Sequence, residues 1–206
     1  MPEVDHHKNP AGGEPEWAWI LQHPTVFEDD GRITFVRSAD VAAIFDAFGL
    51  DAAQATPQSL TDCWSPDGAA YDGRTCLRVA TSGDWSAAIE PVRASTMPDT
   101  GASTLSFDND VVVATMNLMG QGWISHIARG RLQFGLEVGQ AYDGLAGEAT
   151  ARFERPMREA GLIDRETPRD ARTEFTAALA VLAREFGFSF SAEQIRGPLP
   201  TVYYPT

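Results

Sequence analysis

The feature that most constrains the fold is a run of strand-like segments between Thr75 and Gly139. The segments "TCLRVAT" and "DWSAAIE" predict a hairpin with a tight turn at Ser82–Gly83, and "GWISHIARGRLQFGLEVG" predicts a second hairpin that turns at Arg129–Gly130. Between them, "DVVVATMN" is apolar on both faces, which is typical of a central strand covered on both sides. Consecutive strands of this kind predict an antiparallel sheet.

Helical periodicity is strongest before and after this run. A strand over Arg32–Arg37 leads into a predicted helix that begins at Ser38 as its N-cap and ends at Phe48. Two further helices are predicted over Arg155–Ala160 and Arg169–Phe186, the longer one with an apolar stripe at helical spacing. We therefore predict an α+β fold, with an antiparallel sheet of about six strands and helices packed on one face.

The length of 206 residues suits one domain with a substantial core. Residues 1–15 are rich in proline and glycine and poor in apolar side chains, so they are predicted to be a mobile tail before a single α+β domain over residues 16–206. No apolar run resembles the core of a signal peptide or a membrane span, and we expect a cytoplasmic protein. Two cysteines, Cys63 and Cys76, imply no disulfide framework, so we expect two free thiols in a reducing cytosol, with a single bridge between them as the alternative.

Acidic side chains outnumber basic ones by 29 to 16, which gives a formal net charge of −13. A surface of this sign repels nucleic acid and anionic membranes, so neither is expected as a partner. Such acidity either keeps a protein soluble or complements a basic protein partner. The composition leaves both interpretations open.

His126 is the one histidine beyond position 23, and its predicted place in the second hairpin bears on catalysis. A two-residue turn at Arg129–Gly130 pairs Ser125 with Phe134 on an apolar face. The same register pairs His126 with Gln133 on the other, solvent-facing side. This places an exposed imidazole beside polar groups, with no nucleophile or orienting carboxylate, which does not indicate a catalytic base.

The motifs of common enzyme classes are missing from the sequence. It holds no set of His and Cys with zinc spacing, no phosphate-binding loop and no nucleophile elbow, so we predict no metal and no cofactor. Asp84 and Glu90 share one face of a predicted strand, but about 20 Å separates them, which is too far for paired-carboxylate chemistry. The sequence favours a protein that is not an enzyme.

The loop from Cys63 to Thr75 is rich in Trp, Tyr, Asp and Gly. Long loops often carry function, and exposed aromatic side chains often dominate protein–protein contacts. The candidate binding residues are therefore Trp64, Asp67, Tyr71 and Asp72 in this loop, and Glu90, His126 and Arg131 on the polar face of the sheet.

Four segments together resemble an uncharacterised family, a domain of unknown function found in filamentous actinobacteria. They are "ITFVR" with the helix that follows it, "SGDWSAAIEP", "MREAGL" and "ALAVLAREFGFSFSAEQIRGPLPT", and they span roughly residues 17–201. The resemblance implies an α+β domain in an actinobacterial cytoplasm. It assigns no catalytic residues, because none is established for the family.

These observations favour a non-catalytic acidic binding protein, such as an immunity or regulatory protein that binds one basic protein partner. The alternative is an enzyme or a small-molecule sensor with its site on the polar sheet face around Glu90, His126 and Arg131. Those three side chains form a site only if the strands bring them within about 10 Å of one another.

Overall fold

The computed structural model describes residues 17–22, 25–27, 30–64, 75–91, 100–117, 119–139, 144–164 and 170–205. The tail predicted at residues 1–15 lies outside this part of the chain. Within it, the strands are β1 (Gly31–Arg37), β2 (Thr56–Gln58), β3 (Cys76–Ser82), β4 (Trp85–Glu90), β5 (Val111–Met116), β6 (Gly122–Ala128), β7 (Arg131–Val138) and β8 (Leu199–Tyr203). The α-helices in the same ranges are α1 (Val41–Ala47), α2 (Leu60–Trp64), α3 (Thr100–Leu105), α4 (Thr150–Glu159), α5 (Ala171–Phe186) and α6 (Ala192–Arg196).

The eight described strands form one antiparallel sheet in the order β2-β8-β3-β4-β1-β5-β6-β7. This confirms the α+β class and the antiparallel sheet, but the predicted count of about six strands is too low. The two strands that sequence reasoning missed, β2 and β8, pair Pro57 with Pro200. Proline lacks an N–H donor and is rare inside sheets, so both segments were poor matches to a strand pattern.

Helices cover both faces of the sheet, which corrects the prediction of helices on one face. Helices α4, α5 and α6 pack on the face that carries Phe35 and Phe134. Helices α1 and α3 pack on the opposite face, against Val36 and Val113. Two layers are needed because the inner strands have no solvent-facing side, and in β4 all six residues are buried.

Two local boundaries differ slightly from the predicted ones. Helix α1 begins later because Asp40, rather than Ser38, is its N-cap and accepts a backbone hydrogen bond of 2.7 Å in the first turn. The β3–β4 hairpin turns at Gly83–Asp84 instead of Ser82–Gly83. The glycine there has a φ of 57°, which a residue without Cβ adopts at little steric cost.

The β6–β7 hairpin turns at Arg129–Gly130 as predicted, but a β-bulge then shifts its register. The first two pairs after the turn follow the prediction, whereas His126 pairs with Phe134 and leaves Gln133 as the extra residue of β7. A shift of one residue moves side chains to the other face of a sheet. The predicted solvent-facing position of His126 is therefore wrong, since its side chain is on the core face and the residue is only 4% exposed.

Candidate functional site

An open cleft of about 660 Å³ lies beside the turn of the β6–β7 hairpin. Its residues come from the position just before β5, from the hairpin itself and from the loop before α4. The lining consists of Asp110, His126, Ala128, Arg129, Arg131, Gln133 and Glu148. A concave surface that combines both signs of charge with an imidazole has the groups to hold a small polar ligand.

One wall of the cleft is formed by His126 and Asp110. The imidazole Nε2 lies 2.9 Å from Oδ1 of Asp110, and the other carboxylate oxygen lies 3.9 Å from Nη1 of Arg37. Because an ionised carboxylate only accepts hydrogen bonds, Nε2 of His126 is the donor. The ring centroid of Phe186 lies 4.4 Å from that of the imidazole, so an aromatic side chain supports His126 within the core.

The surroundings of the two imidazole nitrogens argue against a role of His126 as catalytic base. Burial lowers the pKa of the imidazole, and this outweighs the opposing effect of Asp110. Arg152, whose guanidinium lies 4.9 Å from the Phe186 ring centroid, also lowers that pKa. The neutral ring has one nitrogen bonded to Asp110, and the other, Nδ1, is buried without a hydrogen-bond partner in the described structure. Neither nitrogen is therefore free to take a proton from a molecule in the cleft.

We expect acid to destabilise the protein through His126. In the unfolded chain this imidazole takes up a proton near its ordinary pKa of about 6.5, whereas the folded protein resists protonation until a lower pH. Between those two values the unfolded state binds more protons, so the free energy of unfolding falls as the pH falls. Urea denaturation between pH 7 and pH 5 should show a smaller loss of stability in His126→Gln, which retains a hydrogen-bond donor. Equal slopes in the two proteins would contradict this, since the other histidines are common to both.

An exposed ion pair also lines the cleft. Nη1 of Arg131 lies 3.3 Å from Oε1 of Glu148, and the two side chains are 69% and 56% exposed. The bulge residue Gln133 donates from Nε2 to the carbonyl oxygen of Arg131 at 3.3 Å. An exposed pair of this kind contributes less than about 1 kcal/mol and opens easily, so the guanidinium can contact an acidic ligand group. The structure thus brings His126 and Arg131 into one cleft.

Glu90 lies on the other face of the sheet and takes no part in this cleft. Across the sheet, Glu90 pairs with Arg32, Arg32 pairs with Thr115, and Thr115 pairs with Trp123. Trp123 therefore lies three strand spacings from Glu90. His126 is three positions further along β6 and faces the opposite side. From strand geometry, the Cα atoms of Glu90 and His126 are about 17 Å apart. The hypothesised site of Glu90, His126 and Arg131 is therefore not assembled.

Glu90 instead belongs to a buried ion pair. It is 0% exposed, and its Oε2 accepts a hydrogen bond of 2.5 Å from Nε of Arg32. Its Oε1 accepts a hydrogen bond of 3.1 Å from the hydroxyl of Tyr204. Burial raises the pKa of that hydroxyl, and the negative charge of Glu90 raises it further. Because the carboxylate is enclosed in the core, a partner on the surface does not contact it.

The predicted binding loop is largely beyond the described residues. Trp64 is the last residue of α2, and Asp67, Tyr71 and Asp72 lie outside the described ranges. The contribution of this loop to binding stays a prediction.

Sequence reasoning missed the role of Asp110 and the signal for the bulge. Asp110 lies in "FDNDVV", directly before the apolar strand, where the local pattern indicates no contact with His126. The bulge had one local signal, a glycine in a strand interior, which often marks a bulge or a close approach. A Cβ at Gly135 would lie 2.4 Å from the Trp123 ring, so the indole occupies the space that glycine leaves.

Comparisons of the chain with family models, with curated proteins and with solved structures found no match. The resemblance to an actinobacterial domain family therefore stays a prediction. Within the described residues, no three His, Cys, Asp or Glu side chains are grouped to hold a metal ion. The helices in those ranges are all too short or too polar to cross a membrane.

Proposed function

We propose that the protein is a non-catalytic binding protein that docks an acidic layer against a basic surface of a protein partner. The acidic layer is the outer surface of α1, α3 and the turn that follows α1, formed by residues 38–55 and 100–109. One observation carries the proposal, namely that every charged side chain in these two ranges is an exposed aspartate. They are Asp40, Asp46, Asp51 and Asp108.

The helical layer on the other face of the sheet has a different charge pattern. Helices α4 and α5 together contain five arginines and four glutamates, so positive and negative charges are interspersed. Pairs such as Arg155 with Glu159, 3.9 Å apart, partly cancel each other there. If the acidic residues served only solubility, arginine and lysine would be expected in this layer as they are in the other one. The asymmetry favours a directional role for the acidic layer.

A surface of one sign attracts an oppositely charged protein over a distance of about one Debye length. Such complementarity accelerates association and rejects partners with the wrong charge. It disfavours the phosphates of nucleic acid and anionic lipid. An immunity or regulatory protein that covers a basic functional surface of its target is a role of this kind.

The alternative of an enzyme or sensor around Glu90, His126 and Arg131 is less well supported. Glu90 is separated from the cleft by the sheet. Nε2 of His126 is hydrogen-bonded to Asp110, and Nδ1 is buried, so neither nitrogen faces a molecule in the cleft. The cleft residues in the described ranges include no serine, threonine, cysteine or lysine to serve as a nucleophile.

Neutralising the acidic layer is expected to abolish capture of the partner. The test variant changes four aspartates to asparagine, which also caps helices well and preserves the cap of α1. At about 0.5 kcal/mol for each charge, the loss of four charges weakens the Kd about 30-fold. The immobilised protein is exposed to a lysate of its source cells at about 50 mM and about 500 mM salt, and retained proteins are identified by mass spectrometry. The changes are Asp40→Asn, Asp46→Asn, Asp51→Asn and Asp108→Asn.

A matched control changes the net charge equally on the opposite layer. We expect this control and the natural protein to retain the same basic protein at low salt, and the acidic-layer variant to lose it. Retention by the acidic-layer variant, or equal loss from both variants, would contradict the proposal. The control changes are Glu154→Gln, Glu159→Gln, Glu185→Gln and Glu193→Gln, all at exposed positions.

A further inference from the structure

Two buried thiols touch at the place where α2 and β3 meet. Cys63 lies near the end of α2, Cys76 is the first residue of β3, and their Sγ atoms are 3.8 Å apart. They are 0% and 2% exposed and are not bridged. We propose that this pair is a redox modification site, which hydrogen peroxide converts into an intramolecular disulfide. This inference is independent of the acidic layer and of any protein partner.

The fold holds the two sulfur atoms close to bonding position. A disulfide is about 2.05 Å long, so the sulfurs must approach each other by less than about 2 Å, which small side-chain rotations can supply. Cys76 is fixed by its pairing with Tyr203 in β8, and Tyr203 packs against the cluster that the two cysteines form. At the start of α2, the carboxylate of Asp62 accepts a hydrogen bond of 2.8 Å from the amide of Ser59. Both partners therefore come from well-defined elements.

The environment makes the two thiols unequal. The Cys76 thiol donates to the sulfur of Cys63, which lowers the pKa of Cys63 against the opposing effect of burial, and the nearby cation of Arg78 acts in the same direction as the hydrogen bond. The pKa of Cys76 is raised, first by that hydrogen bond and then by burial. Arg78 is itself fully buried and donates to the carbonyl oxygens of Gln58 and Gly197 at 3.0 Å and 2.7 Å. Cys63 is therefore the nucleophile and Cys76 the resolving thiol.

The reaction has two balanced steps. The Cys63 thiolate attacks one oxygen of hydrogen peroxide, an S–O bond forms, the O–O bond breaks, and hydroxide leaves with the electron pair. The sulfur of Cys76 then attacks that of Cys63, the S–O bond breaks, and the Cys76 proton leaves with the departing oxygen as water. In total the two thiols lose two electrons and two protons, and one peroxide is reduced to water.

The experiment measures free thiols and intact mass of the full-length protein. The reduced protein is treated with about one equivalent of hydrogen peroxide, quenched with catalase, unfolded in urea and labelled with N-ethylmaleimide. We expect no label and a mass lower by about 2 Da, with both labels restored after dithiothreitol. Two labels on the treated protein, or sulfinic acid on both cysteines without a bridge, would overturn the proposal.

Two controls separate a preformed pair from two independent thiols. Cys76→Ser removes the resolving thiol, so Cys63 should stop at a sulfenic acid that dimedone traps. Oxidation of the natural protein in urea needs no variant, and there dimedone should trap a sulfenic acid before the bridge closes, because the unfolded chain does not hold the second sulfur beside the first. Interception by dimedone as readily in the folded protein as in urea would overturn the proposal.

Discussion

Replacing Glu90 with leucine is expected to lower the free energy of unfolding by about 3–5 kcal/mol. The change leaves the guanidinium of Arg32 in the core without the carboxylate that accepts its 2.5 Å hydrogen bond. It also removes the acceptor of the Tyr204 hydroxyl. A buried cation is costly when its carboxylate partner is removed, because that ion pair no longer offsets the desolvation of the guanidinium. Urea denaturation at pH 7 measures the loss.

An exposed ion pair in the same chain provides the matched control. Glu148→Gln breaks the pair with Arg131 at the surface and should cost less than about 1 kcal/mol, because water solvates both groups. The double variant Arg32→Met with Glu90→Leu should recover most of the stability, since it replaces both charges by apolar groups. If Glu90→Leu costs no more than Glu148→Gln, the ion pair is not buried as described.

Local patterns in the sequence predicted the elements whose geometry depends on near neighbours. The strand β1, the helix α5 and the apolar strand β5 all followed from the spacing of hydrophobic side chains. The turn at Arg129–Gly130 followed from glycine chemistry, and both of its residues have positive φ, 55° and 69°. Helix α4 was predicted only in its second half, over Arg155–Ala160, and begins earlier at Thr150.

Features that depend on distant parts of the chain were not predictable in the same way. The pairing of Pro57 with Pro200 joins segments far apart in sequence, and each alone is a weak strand. The two-sided sheet was implied by "DVVVATMN", yet the consequence for Glu90 was missed, because a carboxylate suggests solvent unless its buried partner is known. That partner, Arg32, lies on another strand.

The candidate site was predicted in part for the same reason. His126 and Arg131 lie in one cleft because one hairpin carries both, and its turn was predictable from sequence. Asp110 reaches His126 from the position just before another strand, β5, which sequence spacing does not indicate. The alternation of Phe134 with polar neighbours fits the unshifted register equally well, so the pattern alone did not favour a bulge.

The bulged register places Phe134 in the core, so we expect its truncation to cause a large loss of stability. Phe134→Ala should cost about 3–5 kcal/mol, because the ring is fully buried and lies 4.6 Å from the ring of Phe153. Gln133→Ala should cost less than about 0.5 kcal/mol, because the side chain is only partly buried in the cleft wall. Urea denaturation of the two variants measures both effects.

A double-mutant cycle distinguishes the bulged register from the unshifted one. In the bulged register His126 and Phe134 are paired on one face and both lie near Phe153, so His126→Gln and Phe134→Leu should be coupled by at least about 0.5 kcal/mol. In the unshifted register the two side chains point to opposite faces of the sheet, and their effects should add within about 0.3 kcal/mol. Additive effects would therefore indicate that the side chain of His126 faces solvent and does not contact the core beneath the cleft.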